Sequence, residues 1–152
     1  MSRAAAAGRT LAGAAAAGLV VLLTACGDAA DGEPSPELVE HAAPLVEAHA
    51  MLEAQAHRLE DDPDAAVAAW PEVAAEVSET VAAMPDPDTL DLEARERSNL
   101  VGYSRGLEVA VGAWDEVHTA LEAADDGDAE QAAEHARDRM RHLDRLRAGV
   151  TR

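Results

Sequence analysis

Apolar residues recur at helical spacing along most of the chain, and no stretch alternates apolar and polar residues as a half-buried strand does. Four such segments, at about residues 35–59, 62–84, 88–124 and 128–150, are separated by turn residues. Short connections favour antiparallel neighbours. The pattern therefore predicts an all-α fold, an up-down four-helix bundle.

Each segment carries one apolar stripe that we expect to form the core. Pro44 is expected to kink the first helix, and Pro71 is a point at which the second helix can split. The third helix is predicted to be longer than its neighbours, so we expect it either to extend beyond them or to break at residues 98–106. Gly102 and Gly106 lower the helix propensity there. In chain order the stripes are Leu38, Ala42, Leu45, His49, Leu52, Ala56 and Leu59; Val67, Trp70, Ala74, Val77, Val81 and Met84; Leu100, Tyr103, Leu107, Ala110, Trp114, Val117, Leu121 and Ala124; and Ala129, Ala132, Ala136, Met140, Leu143, Leu146 and Val150.

The first 25 residues have a different character. They contain Arg3 and Arg9 but no acid, and then an apolar stretch at residues 11–23 that is too short to cross a membrane as a helix. A charged start, an apolar middle and small residues at the end are typical of an export signal. We therefore expect the chain to leave the cytoplasm.

The end of this signal carries the most specific motif in the sequence. Leu23, Thr24, Ala25 and Cys26 resemble the lipobox of bacterial lipoproteins. The resemblance implies a diacylglyceryl group on Cys26 and cleavage before it, and hence anchoring to the outer face of the cytoplasmic membrane. It covers about the first 27 residues and implies nothing about the mature fold. An ordinary secretory signal with a coincidental Cys is the alternative.

Three parts of the chain follow from these patterns. Residues 1–25 are the expected lipoprotein signal peptide, residues 26–35 are the lipidated Cys with a flexible linker, and residues 36–152 are the helical bundle domain. The linker is polar and without period, as a tether is. The chain has no Lys, Ile or Phe, a bias typical of a high-GC genome, and is thus similar to small secreted lipoproteins of actinobacterial type.

Charge and the single Cys exclude several functions. The 152 residues include 30 acids and 12 basic residues, giving a formal charge of -18 that repels nucleic acid. Lipidation of Cys26 would consume the only thiol. No phosphate-binding glycine loop or Gly-x-Ser-x-Gly turn is present, and the spacing of Met and His does not suit haem. We therefore expect a non-catalytic binding or interaction module without a cofactor, whose partner is another envelope protein or a cationic ligand.

The alternative is a metal-binding envelope lipoprotein. His49, Glu53 and His57 lie at positions i, i+4 and i+8 of the first helix, so their side chains are candidates to share Zn²⁺ or Cu²⁺. His118 and His135 on later helices would allow a cross-helix site. The competing interpretation is that Glu and His at this spacing are ordinary solvated residues of a Glu-rich helix.

Arginines crowd the last 16 positions of the chain. There Arg137, Arg139, Arg141, Arg145, Arg147 and Arg152 meet only Asp138 and Asp144. In an up-down bundle the end of the fourth helix lies beside the start of the first helix, and therefore near the membrane. Arginines there would be attracted to anionic lipid headgroups. We favour the simpler interpretation, in which these cations suit a helix C-terminus and pair with nearby acids.

Overall fold

Four α-helices joined by short connections confirm the predicted all-α fold. In the computed structural model, which describes residues 33–151, α1 is Pro36–Asp61, α2 is Pro63–Ala82, α3 is Ala94–Glu122 and α4 is Asp126–Arg147. A short 3₁₀ turn, Pro87–Thr89, lies between α2 and α3, and there is no strand within residues 33–151. The predicted signal peptide, Cys26 and most of the predicted linker lie outside the described residues.

Each of the first two helices begins with a proline that follows an N-cap residue. The Ser35 hydroxyl accepts a hydrogen bond from the backbone N–H of Leu38 at 3.2 Å, and Pro36 is the first helical residue. Asp62 alone separates α1 from α2, and its carboxylate accepts from the N–H of Ala65 at 3.0 Å. Such caps satisfy amides that the helix itself leaves free, and proline loses nothing at this position.

The end of the predicted linker is fixed to the domain. The backbone N–H of Ser35 donates to Oε1 of Glu96 at 2.8 Å, and the N–H of Glu93 donates to Oε2 at 3.1 Å. The hydrogen bond from Ser35 is the main reason that the pKa of Glu96 lies below its ordinary value. Ser35 is therefore held in place both as the cap of α1 and by its contact with the start of α3.

The third and fourth helices begin at other residues than predicted. Helix α3 starts at Ala94, not near residue 88, because Glu93 and Glu96 form a capping box there. Helix α4 starts at Asp126, two residues before the predicted start at about residue 128, because Asp125 caps it: the Asp125 carboxylate accepts from the N–H of Asp128 at 3.1 Å.

Neither expected break occurs. Helix α2 continues through Pro71, and α3 is uninterrupted from residue 94 to 122. Gly106 has a packing role instead, because a Cβ atom there would lie 2.9 Å from side-chain carbons of both Leu143 and Leu146. The missing side chain lets α4 approach α3 closely, and packing outweighs the low helix propensity of glycine.

Contacts between helices define their directions. Ser35 meets Glu96 near the starts of α1 and α3, and Gln55 meets His118 near their ends, so these two helices are parallel. Asn99 near the start of α3 donates to the carbonyl of Gly149 just beyond α4, so α3 and α4 are antiparallel. Consecutive helices pack against each other, which is the predicted up-down order, whereas α1 and α4 touch only briefly and α2 and α4, within the described residues, not at all.

The core follows the predicted stripes with a few polar additions. Besides apolar residues, the interior holds His49, Gln55, Ser104 and His118. Of these only His49 lay on a predicted stripe. The fully or nearly fully buried apolar residues are Leu38, Ala42, Leu45, Ala48, Leu52, Ala66, Trp70, Val77, Val81, Leu92, Leu100, Tyr103, Leu107, Ala110, Ala113, Trp114, Val117, Ala129, Ala136, Leu143 and Val150. Ala124, predicted as the last stripe residue of α3, is exposed in the turn to α4 with a φ of 54°.

Candidate functional site

The predicted metal set on α1 is brought together only in part. His49 and Glu53 face each other, with Nε2 of His49 at 3.7 Å from Oε1 of Glu53. His57 lies apart with its side chain 81% exposed, and its Nδ1 is 3.9 Å from Oε2 of Glu60. Asp144 of α4 occupies the third place instead, because its Oδ1 lies 3.9 Å from Nε2 of His49. The three ligand atoms of His49, Glu53 and Asp144 lie within 4.8 Å of one another.

His49 is the only buried member of this cluster. Its side chain is 0% exposed, whereas those of Glu53 and Asp144 are 39% and 49% exposed. Nδ1 of His49 forms a hydrogen bond of 2.9 Å with the hydroxyl of Tyr103, and Nε2 has no hydrogen-bond partner. Because both carboxylates are beyond hydrogen-bond reach, an unpaired ring nitrogen faces two acids.

Burial also sets the charge of these groups. Desolvation lowers the pKa of His49, and the positive charge of Arg147 lowers it further, while Glu53 and Asp144 oppose the shift. Burial likewise raises the pKa of the Tyr103 phenol, so this hydroxyl stays protonated. The imidazole is therefore neutral near pH 7, and it offers a lone pair on one of its two nitrogens.

Arg147 provides the positive charge that the cluster now contains. Its Nη1 lies 3.2 Å from Oε1 of Glu53, and its Nη2 lies 3.2 Å from Oδ1 of Asp144. The guanidinium thus bridges α1 and α4 through the same oxygens that face His49. With 35% of its side chain exposed, Arg147 can leave toward solvent, since exposed ion pairs contribute little to stability.

A groove between α1 and α4 opens beside this cluster. Its volume is about 600 Å³, and Trp114 of α3 lines it together with Glu53 and Asp144. The indole Nε1 of Trp114 is buried without a hydrogen-bond partner. The remaining lining residues are Ala54, Ala56, His57, Arg137, Met140 and Arg141. The groove exists because α1 and α4 touch least of the neighbouring helices.

A second buried polar network was missing from the sequence-based predictions. The side-chain Nε2 of Gln55 donates to the carbonyl of Ala66 at 2.7 Å and lies 2.8 Å from Nε2 of His118. Nδ1 of His118 lies 2.8 Å from the carbonyl of Trp114, so this nitrogen carries the proton. Both ring nitrogens of His118 therefore have partners. The i, i+4 relation of Trp114 and His118 was the sequence signal that pointed to this bond.

Trp70 completes that network. Its indole stacks on the ring of His118 with centroids 4.6 Å apart, and its Nε1 donates to Oδ1 of Asp115 at 3.0 Å. Burial is the first cause that lowers the pKa of His118. The network joins α1, α2 and α3, and Oε1 of Gln55 also accepts from Arg58 at 3.2 Å. None of the buried side-chain nitrogens and oxygens of Gln55, His118 and Trp70 lacks a partner, as expected of a structural element.

A second open groove, of about 650 Å³, lies between α3 and α4. Two of its acids already have structural partners, because Asp115 accepts from Trp70 and Asp125 caps α4. His135, also on this groove, is close to Nε of Arg139 at 3.4 Å. This groove offers no buried, unpaired ligand atom within the part of the chain that the structure describes.

Two of the arginines near the chain end pair with acids. Arg141 contacts Asp138 one turn earlier, and Arg147 holds Glu53 and Asp144. Thr151 lies beside Pro34 and Pro36, as expected for an end of α4 close to the start of α1. Arg152, Leu23, Thr24, Ala25 and Cys26 lie outside the described residues.

Comparisons with known proteins add no assignment to this geometry. No protein-family model, no curated protein and no solved structure matches the chain. Within residues 33–151, no helix combines the length and the hydrophobicity needed to cross a bilayer. The arguments about function therefore rest on the residues themselves.

Proposed function

We propose that this protein is a lipid-anchored, non-catalytic module on the outer face of the cytoplasmic membrane, which binds a cationic ligand in the groove between α1 and α4. The observation that carries the binding proposal is the pair of partly exposed carboxylates, Glu53 and Asp144, at a groove of about 600 Å³. Both face the uncharged, buried His49, so the local charge favours a cation once Arg147 moves aside.

The net charge supports the same class of ligand. The formal charge of -18 becomes more negative on removal of a signal peptide that contains Arg3 and Arg9 and no acid. An acidic surface concentrates cations around the domain and speeds their association. The lipobox-like sequence ending at Cys26 supports anchoring, since two acyl chains on one residue are enough for stable attachment.

Metabolic labelling tests the anchor. The full chain is expressed in a bacterium that has the lipoprotein-processing enzymes, with an alkyne analogue of palmitate in the medium. We expect label and membrane association for the natural sequence, and neither for Cys26→Ala. Ala25→Gly, which keeps a small residue at the cleavage site, is the matched control and retains both. Membrane association of Cys26→Ala equal to that of the natural sequence would contradict lipid anchoring.

Tryptophan fluorescence tests the groove. In the full-length lipidated protein in detergent micelles, Trp70→Phe leaves Trp114, which lines the groove, as the only indole reporter. We expect spermidine, as an organic polycation, to change this fluorescence in a saturable manner. The change should be lost when Glu53→Gln and Asp144→Asn are combined. A control pair on exposed acids of α2, Glu72→Gln with Asp64→Asn, should leave the response unchanged.

A further inference from the structure

We propose that the cationic ligand of this groove is a divalent transition-metal ion, bound by Nε2 of His49 and by the carboxylates of Glu53 and Asp144, with Arg147 as the resident cation that the metal replaces. The inference rests on the proposed function, because it names the ligand of the same groove. It differs from the set read from the sequence in one ligand, since Asp144 of α4 takes the place of His57.

The unpaired nitrogen of His49 carries the argument. A fully buried imidazole nitrogen without a hydrogen-bond partner is costly, and proteins rarely leave one in that state. This nitrogen lies 3.7 Å and 3.9 Å from two carboxylate oxygens of different helices. These separations are too long for hydrogen bonds and close to the span of two ligands across one metal ion, whose bonds are about 2.0–2.2 Å.

Tyr103 supports this assignment from behind the imidazole. Its hydroxyl lies 2.9 Å from Nδ1 of His49. A histidine that binds a metal through one nitrogen usually donates a hydrogen bond from the other, which fixes both the tautomer and the ring orientation. In the tautomer that the proposal requires, Nδ1 carries the proton and donates to the hydroxyl of Tyr103, and the lone pair of Nε2 points at the carboxylates.

Arg147 is a cation already bound by the two carboxylates of the cluster. One guanidinium bonds to a carboxylate from each of two helices, and both bonds are 3.2 Å long. A guanidinium N–H could donate to the lone pair of Nε2, but Arg147 points its N–H groups at the two carboxylates and leaves Nε2 without a hydrogen-bond partner. A divalent ion interacts favourably with all three groups, whereas Arg147 satisfies only the two acids.

The ligand set indicates the class of metal. One imidazole and two carboxylates suit Zn²⁺ and its neighbours in the first transition series, whereas Ca²⁺ and Mg²⁺ prefer oxygen alone. Three protein ligands leave at least one coordination position open. Because both carboxylates line the groove, that position would be reached from the groove.

Zinc titration of the full-length lipidated protein in micelles tests the inference. Calorimetry should show saturation at one equivalent of Zn²⁺. In ¹⁵N spectra of the imidazoles, Nε2 of His49 should shift as a metal ligand while Nδ1 keeps its hydrogen-bonded position. These two readouts do not depend on any activity.

Variants of the exposed acids avoid the risk of unfolding that a change of buried His49 carries. Glu53→Gln and Asp144→Asn should each weaken Zn²⁺ binding at least about tenfold, since each removes a ligand. Glu37→Gln is the matched control. Glu37 forms the same i, i+4 pair with His41, at 3.9 Å, and the new amide oxygen can still accept from the N–H of Asp91. It should leave the affinity unchanged.

Arg147→Met separates a metal site from a salt-bridge network. If Arg147 competes with the metal, its removal should tighten Zn²⁺ binding by up to about tenfold, because two exposed ion pairs no longer have to be broken. Equal binding in Asp144→Asn and the natural sequence, or equal shifts at His41 and His49, would overturn the inference. If spermidine changes the fluorescence of Trp114 and Zn²⁺ does not bind, the metal inference fails alone. If neither binds, the proposed binding function fails with it.

Discussion

Two buried histidines of the same core differ in how their ring nitrogens are used. His118 has a partner on each nitrogen, the carbonyl of Trp114 on Nδ1 and Gln55 on Nε2. His49 has Tyr103 on Nδ1 and no hydrogen-bond partner on Nε2. Burial lowers the pKa of both rings. Burial alone therefore does not distinguish a structural histidine from a candidate ligand, whereas the count of satisfied nitrogens does.

Gln55→Leu is expected to have the largest effect on this comparison. It keeps the side chain's size but leaves Nε2 of His118 without a partner and removes the side-chain hydrogen bond to the carbonyl of Ala66, and buried unpaired groups are costly. The free energy of unfolding should fall by about 2–4 kcal/mol in urea denaturation. Gln131→Leu, at an exposed position of α4, is the control and should change stability by less than about 0.5 kcal/mol. A small effect of Gln55→Leu would show that the network is not structural.

Acidification should weaken the fold through both histidines. Their folded-state pKa values lie below the ordinary 6.5, so the unfolded chain binds protons first as the pH falls. The contribution is complete above pH 6.5 and is lost as the pH falls from there toward the folded-state pKa values. Within that pH window, each of the two histidines lowers the free energy of unfolding by about 1.4 kcal/mol for each pH unit.

Urea unfolding at pH 7.5 and pH 5.5 measures this loss, and ¹⁵N NMR titration assigns it to His49 and His118. Both imidazoles should titrate below pH 6.5, and His118 should carry its proton on Nδ1. Titration of either ring at or above pH 6.5 in the folded protein would contradict the neutral, buried state on which the comparison rests.

Tyr103→Phe addresses the one hydrogen bond that His49 makes. It removes a buried hydroxyl and leaves both ring nitrogens of His49 without partners. We expect a loss of about 1–2 kcal/mol in unfolding free energy, with a change of the His49 tautomer in ¹⁵N spectra and no change at His118. Unaltered His49 signals would mean that Tyr103 does not orient the ring.

The two tryptophans offer a similar comparison, between a paired and an unpaired buried nitrogen, and here we expect the smallest difference in stability. Nε1 of Trp70 donates to Asp115, whereas Nε1 of Trp114 is buried without a partner. Trp→Phe creates a similar loss of volume at each site, but only Trp70→Phe breaks a hydrogen bond. Trp70→Phe should therefore destabilise the protein by about 1 kcal/mol more than Trp114→Phe in parallel urea titrations. Equal losses would indicate that the Trp70 bond contributes nothing net.

The sequence by itself determined the class of fold and most of the core. Apolar residues at 3.6-residue spacing, with proline and acidic caps at helix starts, specify helices through local interactions, so the periodicity alone predicted four of them. Stripe residues such as Leu45, Leu107 and Leu143 are buried as expected. The predicted start of α3 was wrong, because the Glu93 capping box sets it. The sequence left open whether α2 splits at Pro71 and whether α3 breaks or overhangs near its glycines, and the structure shows both helices continuous, with Gly106 close to α4.

Only the tertiary structure decided the candidate site. His49 and Glu53 are neighbours on one helix, so their pairing was visible in the sequence, and the sequence predicted His57 one turn later as the third member of the set. Asp144 and Arg147 come from α4, and their place beside His49 depends on the rotation and register of one helix against another. Those quantities are set by the whole core, including the close approach of α4 at Gly106, and helical periodicity carries no information about them.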